Sequence, residues 1–166
     1  PVSPYAHNIP LKTNLPKILF LQKSTNVEKT VNGWKFSFLN EEVILREKEL
    51  WITDKERPRL WNMTLHYFEW TVPLSDEDFK RIITAWIYEC RPYSGESWYA
   101  SWNSYSVSLR CVSWIKEYGI RHKNLDKKFL DLFRNSILEQ IRFLEKNLEL
   151  DLLGNHIIKN IKALLW

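Results

Sequence analysis

Apolar residues return at every third or fourth position through most of the chain beyond residue 75, and that period constrains the fold more than any other feature. Phe79, Ile82, Ile83, Trp86, Ile87 and Cys90 form one such stripe. Leu109, Val112, Ile115 and Tyr118 form a second, within a helix expected over 105–118. Leu130, Phe133, Ile137, Ile141, Leu144 and Leu148 form a third, over 126–148. Leu153, Ile157, Ile161, Leu164 and Leu165 begin a fourth. A strand would alternate at every second position, so these segments read as amphipathic helices with one buried face each. The boundaries agree. Ser75 is a good N-cap, and Asp76, Glu77 and Asp78 place acids where the helix dipole favours them. Pro92 and Gly95 end that helix, and Gly119 suits a left-handed residue just past the second. The fourth helix follows Gly154 and reaches Trp166 with no capping residue, as though cut.

The first 60 residues read differently. Residues 1–33 are rich in Pro, Asn and Lys, with one apolar run at 18–21, and suit an irregular arm. Residues 34–40 (WKFSFLN) alternate Trp34, Phe36 and Phe38 against Lys35 and Ser37, a short strand. Residues 41–60 are charged, and Pro58 argues against a continuous helix there. Residues 96–105 (ESWYASWNSY) read as a polar, aromatic loop. The expected organisation is an arm with a short strand over 1–60, followed by helical hairpins over 61–166.

A chain of 166 residues fits one domain, and 45% apolar residues suffice for a real core. Nine Trp, seven Tyr and eight Phe are an unusually large aromatic set. Such rings fill cores, and they also stack on the C–H faces of sugars; composition does not separate the two. The net charge of +4 is spread among acids without an Arg-rich block, which argues against nucleic acid and suits an anionic polymer. Cys90 and Cys111 lie within helical stripes and read as buried free thiols. The four His lack companions at metal-ligand spacing, no cofactor motif is present, and no apolar run is long enough to span a membrane.

The segment 152–165, LLGNHIIKNIKALL, carries the chemistry. At about 100° per residue, Asn155, His156 and Lys159 fall opposite the apolar side, directly after Gly154. Polar residues opposite a core stripe are ordinary, and spacing alone reads them as a solvated face.

Three blocks change that weighing. The stretch LEKNLELDLLGNHIIKNIKALL is similar to the heparinase II/III family of polysaccharide lyases, which carries a helix opening with Gly-Asn-His. LWNMTLHYFEW at 60–70 and WNSYSVSLRCVSWIK at 102–116 resemble two further elements of that family, in family order. The resemblance covers residues 60–166. It implies helical hairpins forming part of an incomplete (α/α) toroid, cut short here, with a β-sandwich domain beyond. It implies β-elimination from a uronate polysaccharide in the parent, which it favours as periplasmic or secreted. A base takes the proton at C5 and the 4-linked oxygen departs. The uronate carboxylate resists further negative charge, so the enzyme must neutralise it with donors that strengthen in the transition state. An Asn amide donates without titrating, and His titrates near neutral pH.

By motif, Asn155 would neutralise the carboxylate and His156 would assist it or act as base. His66, Tyr67, Trp98, Trp102, Tyr105, Arg110 and Lys159 are the candidate substrate contacts. His66, Tyr67 and Arg110 read equally as packed or salt-bridged structural groups. The family's acid–base Tyr and a second His would lie beyond Trp166, and Tyr67, Tyr99 and Tyr105 do not occupy that motif position. The chain alone is therefore expected to be inert. Two other readings stay open: a non-catalytic module binding acidic polysaccharide, and a helical scaffold that self-associates through the truncated edge of its toroid.

Overall fold

The computed structural model describes residues 26–95, 98–150 and 154–165. The fold is mainly helical, with one small antiparallel sheet. Three strands open it: β1 (Val27–Thr30), β2 (Gly33–Phe38) and β3 (Glu41–Leu45), a meander in the order β1-β2-β3. In β2, Trp34, Phe36 and Phe38 point inward and are buried. Their register sets Trp34 opposite Leu45 and Phe36 opposite Val43.

The strand expected over 34–40 thus ends at Phe38, because Leu39 and Asn40 both take positive φ and make the two-residue turn into β3. The other two strands fall in segments read as irregular or merely charged. Their own patterns are weak; β2 recruits both by offering an unpaired edge on each side. Gly33 is required at the first turn, since a Cβ there would lie 2.2 Å from the carbonyl oxygen of Leu45. The part of the arm before residue 26 lies outside the described residues.

Among the described residues six α-helices follow: α1 (Arg59–Leu65), α2 (Asp76–Glu89), α3 (Trp98–Ser101), α4 (Ser104–Arg121), α5 (Lys127–Lys146) and α6 (Asn155–Leu165). α2 starts where the sequence says it should, with Ser75 Oγ accepting from the Asp78 N–H. α5 is capped by Asp126, which accepts from the Phe129 N–H at 2.9 Å. Both obey local chemistry that needs no tertiary partner. The segment 96–105 is not wholly a loop: α3 occupies part of it, and Asn103 caps α4 by accepting from the N–H groups of Tyr105 and Ser106.

α4 is the central helix, packing on α5, α6 and α3. It overruns the stop expected at Gly119 and continues to Arg121. The physical reason is tertiary. Arg121 donates to Glu117 and Asp76, both at 2.6 Å, and to the carbonyls of Thr71 and Val72, which fixes the last turn against the start of α2. The stripe expected on α4 is also displaced. Leu109, Ile115 and Tyr118 are only partly buried, while Val107, Cys111 and Trp114 are fully buried. Because α4 is enclosed by neighbours, Ser104, Ser106, Ser108, Ser113 and Glu117 are buried with them.

The core is aromatic. Phe68, itself in the left-handed region at φ 60°, stacks on Trp51 and Trp70 and meets Trp86 and Trp114 edge-on. Trp114 continues the chain of rings to Phe133, which contacts Phe129 and Phe79. Cys90 and Cys111 are both buried thiols. Burial pushes the Cys111 thiol up to about 12, so neither the thiolate nor access is supplied in the native state. Both cysteines are expected to stay unlabelled by a thiol-specific reagent at pH 8 in the folded chain and to react promptly in denaturant. Stoichiometric labelling of native protein would contradict this.

Candidate functional site

The structure separates the candidate residues into three places. The first is the interior. Arg110 is fully buried, and His66 and Trp102 nearly so. Arg110 Nε donates to Gln140 Oε1 at 2.6 Å, and Nη1 donates to the carbonyls of Ser101 (2.7 Å) and His66 (3.3 Å). Its guanidinium lies 4.1 Å from the centre of the Trp86 ring and 5.6 Å from that of Trp102. Burial pushes its pKa down to about 9, yet at neutral pH it remains a cation held by carbonyls and ring faces. His66 Nδ1 accepts from the Trp86 Nε1–H at 3.1 Å, which fixes a neutral ring. Burial, and then the Arg110 charge, push its pKa down to about 3. Trp102 Nε1 donates to the Cys90 carbonyl at 2.8 Å. None of the three reaches a polymer, so their expected role as substrate contacts is corrected to a structural one. The reason is that His66 just past α1, together with α2, α3, α4 and α5, contributes to one polar knot around Arg110, which no single segment reveals.

The second place is an exposed aromatic surface. Trp98 is half-buried, with its ring 5.0 Å from that of Tyr93 and 6.0 Å from that of Tyr99. Tyr93 and Tyr99 are each 70% exposed.

The third place gathers Tyr67, Tyr105 and His156. Tyr67 follows α1, Tyr105 is in the first turn of α4, and His156 is in the first turn of α6. The Tyr67 and Tyr105 rings meet edge-on at 5.9 Å, and Tyr105 lies 4.6 Å from the His156 ring. The Tyr67 hydroxyl is buried with no hydrogen-bond partner among the described residues. Burial raises its pKa above the ordinary phenol value, with Tyr105 and Glu69 adding to the shift. Gly154, at φ 65°, turns the chain into α6 and leaves Asn155 exposed beside this cluster. A cavity of about 630 Å³ on the sheet, lined by Val31, Asn32, Ile44, Arg46 and Glu49, contains none of these residues.

α6 is rotated from the expected orientation. Its buried residues are Asn160 and Ala163; Ile157 and Leu164 are partly buried, and Lys159 and His156 half-buried. Ile161 and Leu165, expected inside, are exposed together with Ile158. Leu153 lies outside the described residues. The rotation follows from Asn160, whose Nδ2 donates to Ser108 Oγ on α4 at 2.8 Å. A buried amide must be satisfied, and the small Ala163 lets the two helices approach.

Sequence reasoning missed Glu149 and Asn160. Glu149 Oε1 stands 3.3 Å from His156 Nδ1, and Asn160 holds the Glu149 main chain, accepting its N–H at 3.1 Å. The signal was present for Asn160: an Asn in the middle of IIKNIKALL breaks an otherwise apolar side.

Among the described residues, no group of three His, Cys, Asp or Glu side chains could hold a metal ion. None of their helices is long and apolar enough to cross a membrane. What the fold defines is a mainly helical protein with a three-stranded antiparallel sheet at its N-terminal side. Comparison with protein families, with curated proteins and with solved structures returns no match.

Proposed function

We propose that this chain is the N-terminal part of a polysaccharide lyase that cleaves uronate-containing polymer by β-elimination, and that it lacks activity alone. The observation that supports the reading best is the meeting of His156 with Tyr105 and Tyr67 beside the exposed Asn155. Neutral amide, imidazole and aromatic surface are the groups this reaction needs: one donor to the carboxylate, one base, and faces for the sugar ring. Lys159, on the same helix, would favour an acidic polymer. In this reading the helices are hairpins of an (α/α) toroid. The exposed side of α6, with Ile158, Ile161 and Leu165, is where a further hairpin or a second copy would pack.

The test is the intact gene product on a panel of uronate polymers, followed by the absorbance of the unsaturated uronate. Product is expected from the whole protein and none from residues 1–166. Asn155→Ala and His156→Ala should each lower kcat by about 10²-fold or more. Unchanged turnover in both variants, or no product on any polymer, would overturn the reading.

A second reading rests on the Tyr93, Trp98 and Tyr99 surface. Flat, exposed rings at these spacings suit sugar stacking without catalysis. A non-catalytic module would bind acidic oligosaccharide, lose that binding in Trp98→Ala, and keep it in Asn155→Ala. Trp102 is no probe of this surface because it is buried.

A further inference from the structure

Glu149 belongs to a part of the chain to which no role has been given. It precedes α6, and its side chain is only 14% exposed. Two bonds from Asn160 hold it: the Glu149 N–H donates to Asn160 Oδ1 at 3.1 Å, and Asn160 Nδ2 reaches Glu149 Oε2 at 3.4 Å. Asn160 is fully buried and anchored through Ser108 Oγ, which itself donates to the Ser104 carbonyl at 2.8 Å. The carboxylate is therefore tied to the central helix through fixed side chains.

At the other end of this chain of contacts is His156. Its Nδ1 is buried and has no aligned hydrogen-bond partner among the described residues, and the Glu149 oxygen at 3.3 Å stands against it. The side chain as a whole is 41% exposed, so that exposure belongs to its other atoms. Tyr105 of α4 packs against the ring with Tyr67 behind it, and Lys159 follows on α6.

A neutral imidazole carries its proton on one nitrogen and a lone pair on the other. A lone pair on Nδ1 would face a carboxylate oxygen 3.3 Å away, acceptor against acceptor. A proton on Nδ1 instead faces an anionic acceptor, and a small ring rotation aligns the bond. We propose that Glu149 is a positioning residue for His156, holding the imidazole as the Nδ1–H tautomer so that Nε2 is the nitrogen left to take a proton. The inference rests on the reading of His156 as a catalytic base, and it supplies what that reading lacked: a group that orients the base, as a buried carboxylate orients the His of a hydrolase triad.

The ring nitrogens of His156 report the tautomer directly in a long-range ¹H–¹⁵N spectrum of the ¹⁵N-labelled full chain, recorded with the ring neutral. The wild-type protein should show the Nδ1–H form. Glu149→Ala should convert it to predominantly Nε2–H. Either a wild-type ring already in the Nε2–H form or a tautomer unmoved by Glu149→Ala would overturn the proposal. The wild-type spectrum decides even if the alanine variant does not fold. No substrate is involved, so the outcomes separate: an Nδ1–H ring in a protein that makes no unsaturated uronate leaves the pair standing and sinks the lyase.

Discussion

Arg110→Ala should destabilise the chain by roughly 4 kcal/mol or more, seen as a large drop in the urea midpoint at unchanged slope. The substitution removes three donors at once and strands Gln140 Oε1 and the carbonyls of Ser101 and His66 in the interior. Each stranded acceptor costs about 1–3 kcal/mol. The vacated space between Trp86 and Trp102 adds a cavity term. Against a total stability of about 5–15 kcal/mol, that is a large share of what holds the native state. Arg110→Lys should recover little, because an ammonium neither forks to several carbonyls nor lies flat between two indoles. A variant as stable as wild type would mean that Arg110 is a surface group after all.

His66 should make the protein lose stability as pH falls from about 6.5. Its folded pKa, near 3, lies below the unfolded value because burial and Arg110 disfavour the imidazolium. Below pH 6.5 the unfolded chain therefore takes up a proton that the native chain refuses. The slope is one proton, about 1.4 kcal/mol per pH unit, until the native ring titrates near pH 3. Stability from this group is thus complete above pH 6.5 and lost downward, on the order of 5 kcal/mol in all. Asp76, held low by Asn124 and Arg121, and Asp126, held low by Lys80 and the Phe129 N–H, act in the same direction but only below the ordinary carboxylate range. Burial raises the Glu89 and Glu139 carboxyls, which oppose His66 as pH falls, so His66 is read from the difference between wild type and a variant without the ring. His66→Gln keeps an acceptor for the Trp86 indole and removes the titration. Between pH 7 and pH 5 the wild type should lose about 2 kcal/mol more stability than the variant. Equal losses in both would refute the assignment.

These two residues also show why the candidate site was only partly legible. His66 and Arg110 sit in blocks rich in aromatic and polar residues, and the pattern of either block suits a cleft as well as a core. Nothing local says that the carbonyl of His66, the carbonyl of Ser101 and the amide of Gln140 converge on one guanidinium. Trp102 is similar: it follows a stretch that looks like a loop, yet α3 turns it inward against Arg110. The cluster of Tyr67, Tyr105 and His156 comes from the turn after α1, from α4 and from α6, and only their packing makes it one place. Glu149 became visible because Asn160 carries it to the ring.

Local chemistry by itself determined the helical character, the starts of α2 at Ser75 and α5 at Asp126, and the inward alternation of Trp34, Phe36 and Phe38. Each depends on neighbours within a turn or on a period of the chain, and so is written in consecutive residues. Tertiary structure decided the two flanking strands, the extension of α4 past Gly119, the rotation of α6 about Asn160, and which candidate side chains meet solvent. Those outcomes depend on satisfying buried polar groups with partners as far as 52 residues away, and a linear period holds no information about such partners.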